Sequence, residues 1–157
     1  MALVTPATRA LDAAGVAHEL ATYAYDPHAE RVGLQAAEAL GVPPDQVLKT
    51  LMVVADGKPA CVILASDREV SMKKLAAALD AKAAEMMKPA DAERITGYRV
   101  GGVSPFGQKR RAPVVLDAAA LEKPRVYVNG GQRGLQARLA PAEIVRVLQA
   151  KVAAVSA

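Results

Sequence analysis

The chain has no tryptophan, one cysteine, two histidines and only five aromatic residues among its 157. Each shortage removes a class of chemistry. So few aromatic rings supply no row of platforms for stacking a nucleic-acid strand base by base. They also oblige the core to be built from alanine, valine and leucine. A single cysteine, Cys61, permits no internal disulfide and fits a reducing compartment. Placed between Ala60 and Val62, it reads as a core thiol rather than a nucleophile. His18 and His28 lie ten residues apart. With one cysteine they give none of the spacings of a zinc or facial-triad site, so neither a metal nor any other cofactor is expected. No apolar run approaches the roughly 20 residues needed to cross a bilayer. The opening MALVTPATRALDAAG lacks a basic segment followed by an apolar one, so no signal peptide is expected. These absences together predict a cytoplasmic protein with no membrane partner.

What is present is ordinary for a folded domain. Hydrophobic residues make up 52% and charged residues 23% of the chain, enough for one domain spanning 1–157 with a sizeable core. The net charge of +4 and pI near 9.3 fit weak attraction to a polyanion. Thr5-Pro6 reads as a helix N-cap and first turn, with Gly15 as the stop. His18–Tyr23 predicts a short strand, and Leu34–Leu40, closed by Gly41, a short helix. Val47–Ala55 is a near-continuous aliphatic run and predicts a buried strand. Asp56-Gly57 then turns it into a second buried strand, Ala60–Ala65. Ser71 caps a helix, Ala83–Met87 gives a short strand, and Pro89 and Gly97 bracket another helix. Pro113–Leu116, Arg125–Val128 and Leu135–Leu139 follow as strands. Pro141 opens a last helix, expected to run to Lys151. Strands, hairpins and helices are interspersed, so the expected fold is a mixed sheet or barrel flanked by helices.

Two features stand out chemically. The first is TGYRVGGVSPFGQKRR, Thr96 to Arg111. Gly101-Gly102 can adopt positive φ and bring bare N–H groups close to a ligand, while Pro105 stiffens the chain and holds Ser104 extended. Three consecutive cations, Lys109, Arg110 and Arg111, close the stretch. It is not a P-loop, lacking G-K-[ST]. Ser104 in V-S-P is no nucleophile elbow. The second feature is Lys49, the one charge in VLKTLMVV. Either it reaches outward from a strand edge or it points into a cavity, where burial favours its neutral form. With no triad or metal set in evidence, preorganised backbone N–H groups are the catalytic device to expect.

The combination of LKTL (Leu48–Leu51), TGYRVGGVSPFGQKRR and NGGQRGL (Asn129–Leu135) resembles the YbaK/EbsC family, free-standing relatives of the editing domain of prolyl-tRNA synthetase. The resemblance extends over essentially the whole chain. It implies an α+β fold with a mixed, partly closed sheet flanked by helices. It implies hydrolytic removal of cysteine from mischarged Cys-tRNA(Pro), with prolyl-tRNA synthetase as a partner that supplies tRNA selection. Lys49 matches the family's functional lysine, and Gly101 to Pro105 its G-x-x-x-P loop, whose N–H groups hold the reacting carbonyl. Tyr23 matches a tyrosine of the family's pocket. The resemblance also places Val32, Gly33, Thr50, Gly102, Ser104, Gly130, Gly131 and Arg133 at the substrate, and Lys109, Arg110 and Arg111 on tRNA phosphates. Val32 stands where relatives often carry phenylalanine, which implies a smaller pocket wall. Gln136 occupies a position that is acidic in some relatives and receives no role. In this branch the substrate's own thiol attacks its ester, forming a cyclic thiolactone. Alternatives at this point are an Ala-tRNA(Pro) or broader deacylase using water, and a non-catalytic module that binds tRNA or the synthetase.

Overall fold

The computed structural model describes residues 3–30 and 34–157. Thr5 caps the first helix, α1 (Pro6–Ala13), through a reciprocal pair: its hydroxyl accepts from the Thr8 amide while its own amide donates to the Thr8 hydroxyl. Strand β1 (Glu19–Thr22) and helix α2 (Gln35–Leu40) follow, with Gly41 left-handed at the helix end. The aliphatic run forms β2 (Leu48–Ala55), and Asp56 and Gly57 both take positive φ in the turn to β3 (Lys58–Ala65). Next come α3 (Met72–Ala78), β4 (Ala84–Met86) and α4 (Pro89–Thr96). After the glycine-rich stretch the order is β5 (Val114–Asp117), a short 3-10 helix (Ala118–Glu122), β6 (Val126–Asn129), β7 (Leu135–Leu139), α5 (Pro141–Leu148) and β8 (Lys151–Ala153).

The strands make two sheets. One has the order β1-β7-β6, all antiparallel; the other is mixed, in the order β4-β2-β3-β5-β8. In the second sheet β2 is antiparallel to β3 and β4, whereas β5 lies parallel to both β3 and β8. A single parallel bridge, Val47 to Tyr127, joins the sheets at the start of β2. The assembly is α+β and partly closed, with helices around it. The main core lies between the sheets and includes Leu48, Met52, Ile63, Phe106, Leu116, Val126, Val128 and Leu139. A second cluster, on the other face of the mixed sheet, contains Val53, Val62, Leu64, Leu75 and Val115.

The end of the chain corrects one expectation. The last helix stops at Leu148, not Lys151, because Gln149 turns left-handed (φ 52°). Lys151–Ala153 then pairs parallel with Val115–Asp117 as the sheet's edge. Val155 N–H and Ser156 Oγ–H both donate to the Asp117 carboxylate, which secures the tail.

A cavity between the two sheets

β4 pairs only with residues 53–55 of β2. The stretch from Leu48 to Met52 therefore has β3 on one side and open space on the other. That space is a cavity of about 290 Å³ whose lining includes Lys49, Thr50, Met52, Tyr23, Gly101 and Gln136. Strand alternation sends Leu48 and Met52 to the main core and Leu51 and Val53 to the other face. Lys49 shares the second face at the strand's open margin. Its ammonium is half-buried, and no hydrogen bond or ion pair to it occurs among the described residues. Burial pushes its pKa below the ordinary lysine value, and the carboxylates of Glu69 and Asp67 offset only part of that.

Tyr23 enters from the end of β1, where its N–H donates to the Gly134 carbonyl at 2.9 Å. Burial raises its pKa and a hydrogen bond with Gln136 partly offsets this, so the phenol keeps its proton at neutral pH. Two lining residues, Thr50 and Gln136, each carry a buried oxygen (Oγ1 and Oε1) that has no hydrogen-bond partner among the described residues. Ser66, also on the wall, gives its hydroxyl to the Pro44 carbonyl. No histidine, cysteine or carboxylate lies among the lining residues. Cys61 is fully buried in β3, with its thiol pushed up to about 12 by burial. Among the described residues the cavity thus offers one cation, polar oxygens and apolar walls from Met87, Ala92 and Val103, but no nucleophile with a base beside it.

The glycine stretch supplies the remaining wall. Gly101 has φ +92°, and a Cβ there would sit 2.5 Å from the Tyr25 hydroxyl. The Val100 N–H donates to Glu93 Oε2 (2.9 Å), and the Val100 carbonyl accepts from Arg133 Nε (2.9 Å). Asn129 Nδ2 donates to the Gly101 carbonyl (3.3 Å), and the Gly102 N–H donates to the Arg99 carbonyl (2.8 Å). Of the three amides at 100–102, only the Gly101 N–H has no acceptor among the described residues.

The residues singled out in the sequence divide accordingly. Lys49, Thr50, Tyr23 and Gly101 meet at the cavity. Gly102 is buried against the backbone of Gln132 and Arg133. Ser104 and Phe106 are fully buried, and Ser104 Oγ accepts from the Phe106 N–H. Pro105 lies in the same buried turn, away from the cavity lining. Gly130 and Gly131 form the β6–β7 turn, where the Gly130 carbonyl accepts from the Thr5 hydroxyl and Gly131 abuts Tyr98. Arg133 turns its guanidinium onto the Tyr25 ring, 5.2 Å from the centroid. Val32 and Gly33 lie outside the described residues. Lys109, Arg110 and Arg111 are exposed at the far end of α4, where the Lys109 and Arg110 amides bond the Thr96 and Ile95 carbonyls. Pro89 and Ala92, near the start of α4, line the cavity, so the cations stand about one helix length, ~12 Å, from it.

Among the lining residues without a role in the sequence reading are Tyr25, Asn129 and Gln136. Tyr25 was within reach, because Tyr23-x-Tyr25 places both rings on one side of an extended segment. Asn129 carries no such signal; its Oδ1 accepts from the Gly131 and Gln132 amides while its Nδ2 reaches Gly101. Among the described residues no group of three His, Cys, Asp or Glu side chains is placed to hold a metal, and no helix is long and apolar enough to cross a membrane.

Residues 26–147 match the family of aminoacyl-tRNA editing domains. The chain is 35% identical over 121 residues to EbsC of Enterococcus faecalis, a candidate Cys-tRNA(Pro)/Cys-tRNA(Cys) deacylase, covering 76% of this chain and 74% of that one. It is 35% identical over 91 residues to the proline–tRNA ligase of Acidithiobacillus ferrooxidans, covering 58% of this chain but 16% of the much longer ligase. A solved structure of a candidate trans-editing enzyme for prolyl-tRNA synthetase superimposes with a TM-score of 0.84 over 99% of both chains, at 24% identity.

Proposed function

The chain belongs to the aminoacyl-tRNA editing family, of the YbaK/EbsC kind, and from that premise we propose that it is a trans-editing deacylase that removes cysteine from mischarged tRNA(Pro). The observation that carries this reading is that Lys49 and Gly101, whose N–H has no acceptor among the described residues, line the same cavity, with no histidine, cysteine or carboxylate among its lining residues. The Gly101 N–H is suited to the ester carbonyl, where negative charge develops in the transition state. Lys49, a compact cation, is suited to hold the terminal nucleotide and the aminoacyl ester beside it. The attacking group then comes from the substrate. The cysteine sulfur bonds to its own carbonyl carbon, the ester C–O bond breaks, and the thiol proton passes to the leaving ribose oxygen. The products are a cyclic thiolactone and free tRNA.

A synthetase pocket shaped for proline discriminates weakly against smaller residues, since one methylene is worth about 1–3 kcal/mol. A second, smaller site that admits cysteine and excludes the proline ring supplies the missing factor. Lys109, Arg110 and Arg111, all exposed, would meet tRNA phosphates leading away from the acceptor end, and such contacts weaken steeply with salt. Selection of tRNA(Pro) falls to a partner, the prolyl-tRNA synthetase. A second reading, release of alanine by water, is favoured by the buried unpartnered oxygens of Thr50 and Gln136: buried polar atoms usually have a partner, and these two could orient a water.

The test is deacylation of Cys-, Ala- and Pro-tRNA(Pro) side by side, by wild type and Lys49→Ala. Release of cysteine alone, lowered at least ~100-fold by the substitution, is expected from the loss of a preorganised charge. Release of alanine as well selects the second reading. No release from any of the three overturns the enzyme.

A further inference from the structure

The NGGQRG segment places Arg133 beside the glycine stretch, with its guanidinium turned onto that stretch. Its Nε–H donates to the Val100 carbonyl at 2.9 Å, and its Cζ lies over the Tyr25 ring, 5.2 Å from the centroid. A cation over a tyrosine face is attracted by the ring quadrupole, and Arg loses less freedom per hydrogen bond than Lys because its fork is rigid. The pair makes a fixed donor aimed at one carbonyl.

That carbonyl shares a peptide with the Gly101 N–H. The bond is trans, as are all peptide bonds among the described residues, so its C=O and N–H point to opposite sides of the chain. Holding the Val100 carbonyl against Arg133 therefore fixes where the Gly101 N–H points. Among the described residues no other hydrogen bond holds this peptide, although the groups on either side of it are bonded. Glycine accepts either hand of φ, Gly101 sits at +92°, and rotation of this one peptide would exchange the N–H for a carbonyl oxygen. A carbonyl oxygen there would repel a developing oxyanion instead of binding it.

We propose that Arg133, braced by Tyr25, is a positioning residue that locks the Val100–Gly101 peptide with its N–H available to the reacting carbonyl. This rests on the deacylase reading and deepens it. It also separates two roles for the same arginine: a phosphate contact would act through charge on binding, whereas a peptide lock acts on the chemical step.

The experiment compares Arg133→Ala and Arg133→Lys with wild type in Cys-tRNA(Pro) deacylation, at two salt concentrations and with free guanidinium added. Loss of one preorganised donor lowers kcat by about 10²–10³ at most. The expected result for Arg133→Ala is a kcat fall of ~10–100-fold within that limit. KM should change less than about twofold, as for an interaction made only in the transition state. Guanidinium should restore part of the rate, and Arg133→Lys should not recover it, for want of the planar fork and its stack. A loss confined to KM, abolished by salt and recovered in Arg133→Lys, overturns the lock in favour of a phosphate contact.

A readout independent of activity is the residual dipolar coupling of the Gly101 N–H in the folded protein. The wild-type coupling should fit the bond direction seen here, and Arg133→Ala should move or average it while its neighbours in β2 and β7 keep theirs. An unmoved coupling overturns the proposal even if the variant is slow. If wild type deacylates nothing, the functional reading fails, and the coupling still decides whether Arg133 locks the peptide.

Discussion

The two halves of the glycine-rich stretch look alike in sequence and do opposite work. Arg99–Gly101 lies at the surface, with Val100 42% exposed, and is pinned by side chains from separate elements: Glu93 of α4, Asn129 of β6 and Arg133 of the β6–β7 turn. Ser104–Gln108 is rooted in the core. Phe106, the chain's only phenylalanine, is fully buried, its carbonyl accepts from the Tyr98 hydroxyl at 2.6 Å, and Gly107 packs against the Pro6 carbonyl of α1. One half has its polar groups fixed from outside so that a single N–H is left available. The other anchors the chain so that this fixing has something to push against. Gly101 serves exposure, and the buried Gly102 and Ser-Pro-Phe-Gly serve anchorage.

Substitution in each half should separate these jobs. Phe106→Ala removes a fully buried ring and should lower stability by about 3–5 kcal/mol, read as a drop in the denaturant midpoint. Any activity that survives in the folded fraction should keep its wild-type kcat. Gly101→Ala should do the reverse. Its Cβ would press on the Tyr25 hydroxyl and stand 3.1 Å from Arg133 Nε, at a φ that alanine rarely adopts. Deacylation should fall about 10²–10³-fold, whereas stability should fall by only about 1–3 kcal/mol of local strain. Equal losses of stability from both, with matching activity, would erase the distinction between the halves.

Much of this frame was legible because its signals are local. Thr5 and Pro6 start α1, Pro89 and Gly97 bracket α4, and Asp56-Gly57 sets the β2–β3 turn, each through chemistry confined to a few residues. The strand at Lys151–Ala153 was not legible. Its partner, β5, lies far back in the chain, and the apolar periodicity of the last helix runs past its end without a glycine to stop it. The site divides in the same way. Lys49 stands out as a charge within an aliphatic strand, but the pattern alone left open whether it faced solvent or a cavity. That is decided by β4 covering only residues 53–55 of β2. Arg133 was expected at the substrate, but what it and Asn129 hold was beyond reach for a different reason: those groups, on Val100 and Gly101, are backbone atoms, and no side-chain pattern records which carbonyl an arginine will find.

The smallest expected effect concerns Lys49 and sharpens the comparison from the opposite wall. The charges that act on it are the carboxylates of Glu69 and Asp67 rather than a fixed lock, so its state follows pH where the Gly101 N–H does not. Burial lowers its pKa, with Glu69 and Asp67 raising it only in part. A lowered pKa means the ammonium loses its proton sooner as pH rises, so kcat/KM, corrected for alkaline hydrolysis of the ester, should begin to fall below the ordinary lysine pKa of about 10.4. The sign for stability follows from the same shift. The unfolded chain binds this proton more tightly than the folded one, so the term weighs against folding at low pH and is relieved as pH rises through the lowered value toward the unfolded one. Lys49→Arg keeps the charge but does not titrate in this range, and should flatten the alkaline limb even if its overall rate is a few-fold lower for want of the compact head group. A limb that persists unchanged in Lys49→Arg would assign it to another group, such as the Tyr23 phenol or the substrate thiol, and would leave Lys49 a purely steric part of the wall.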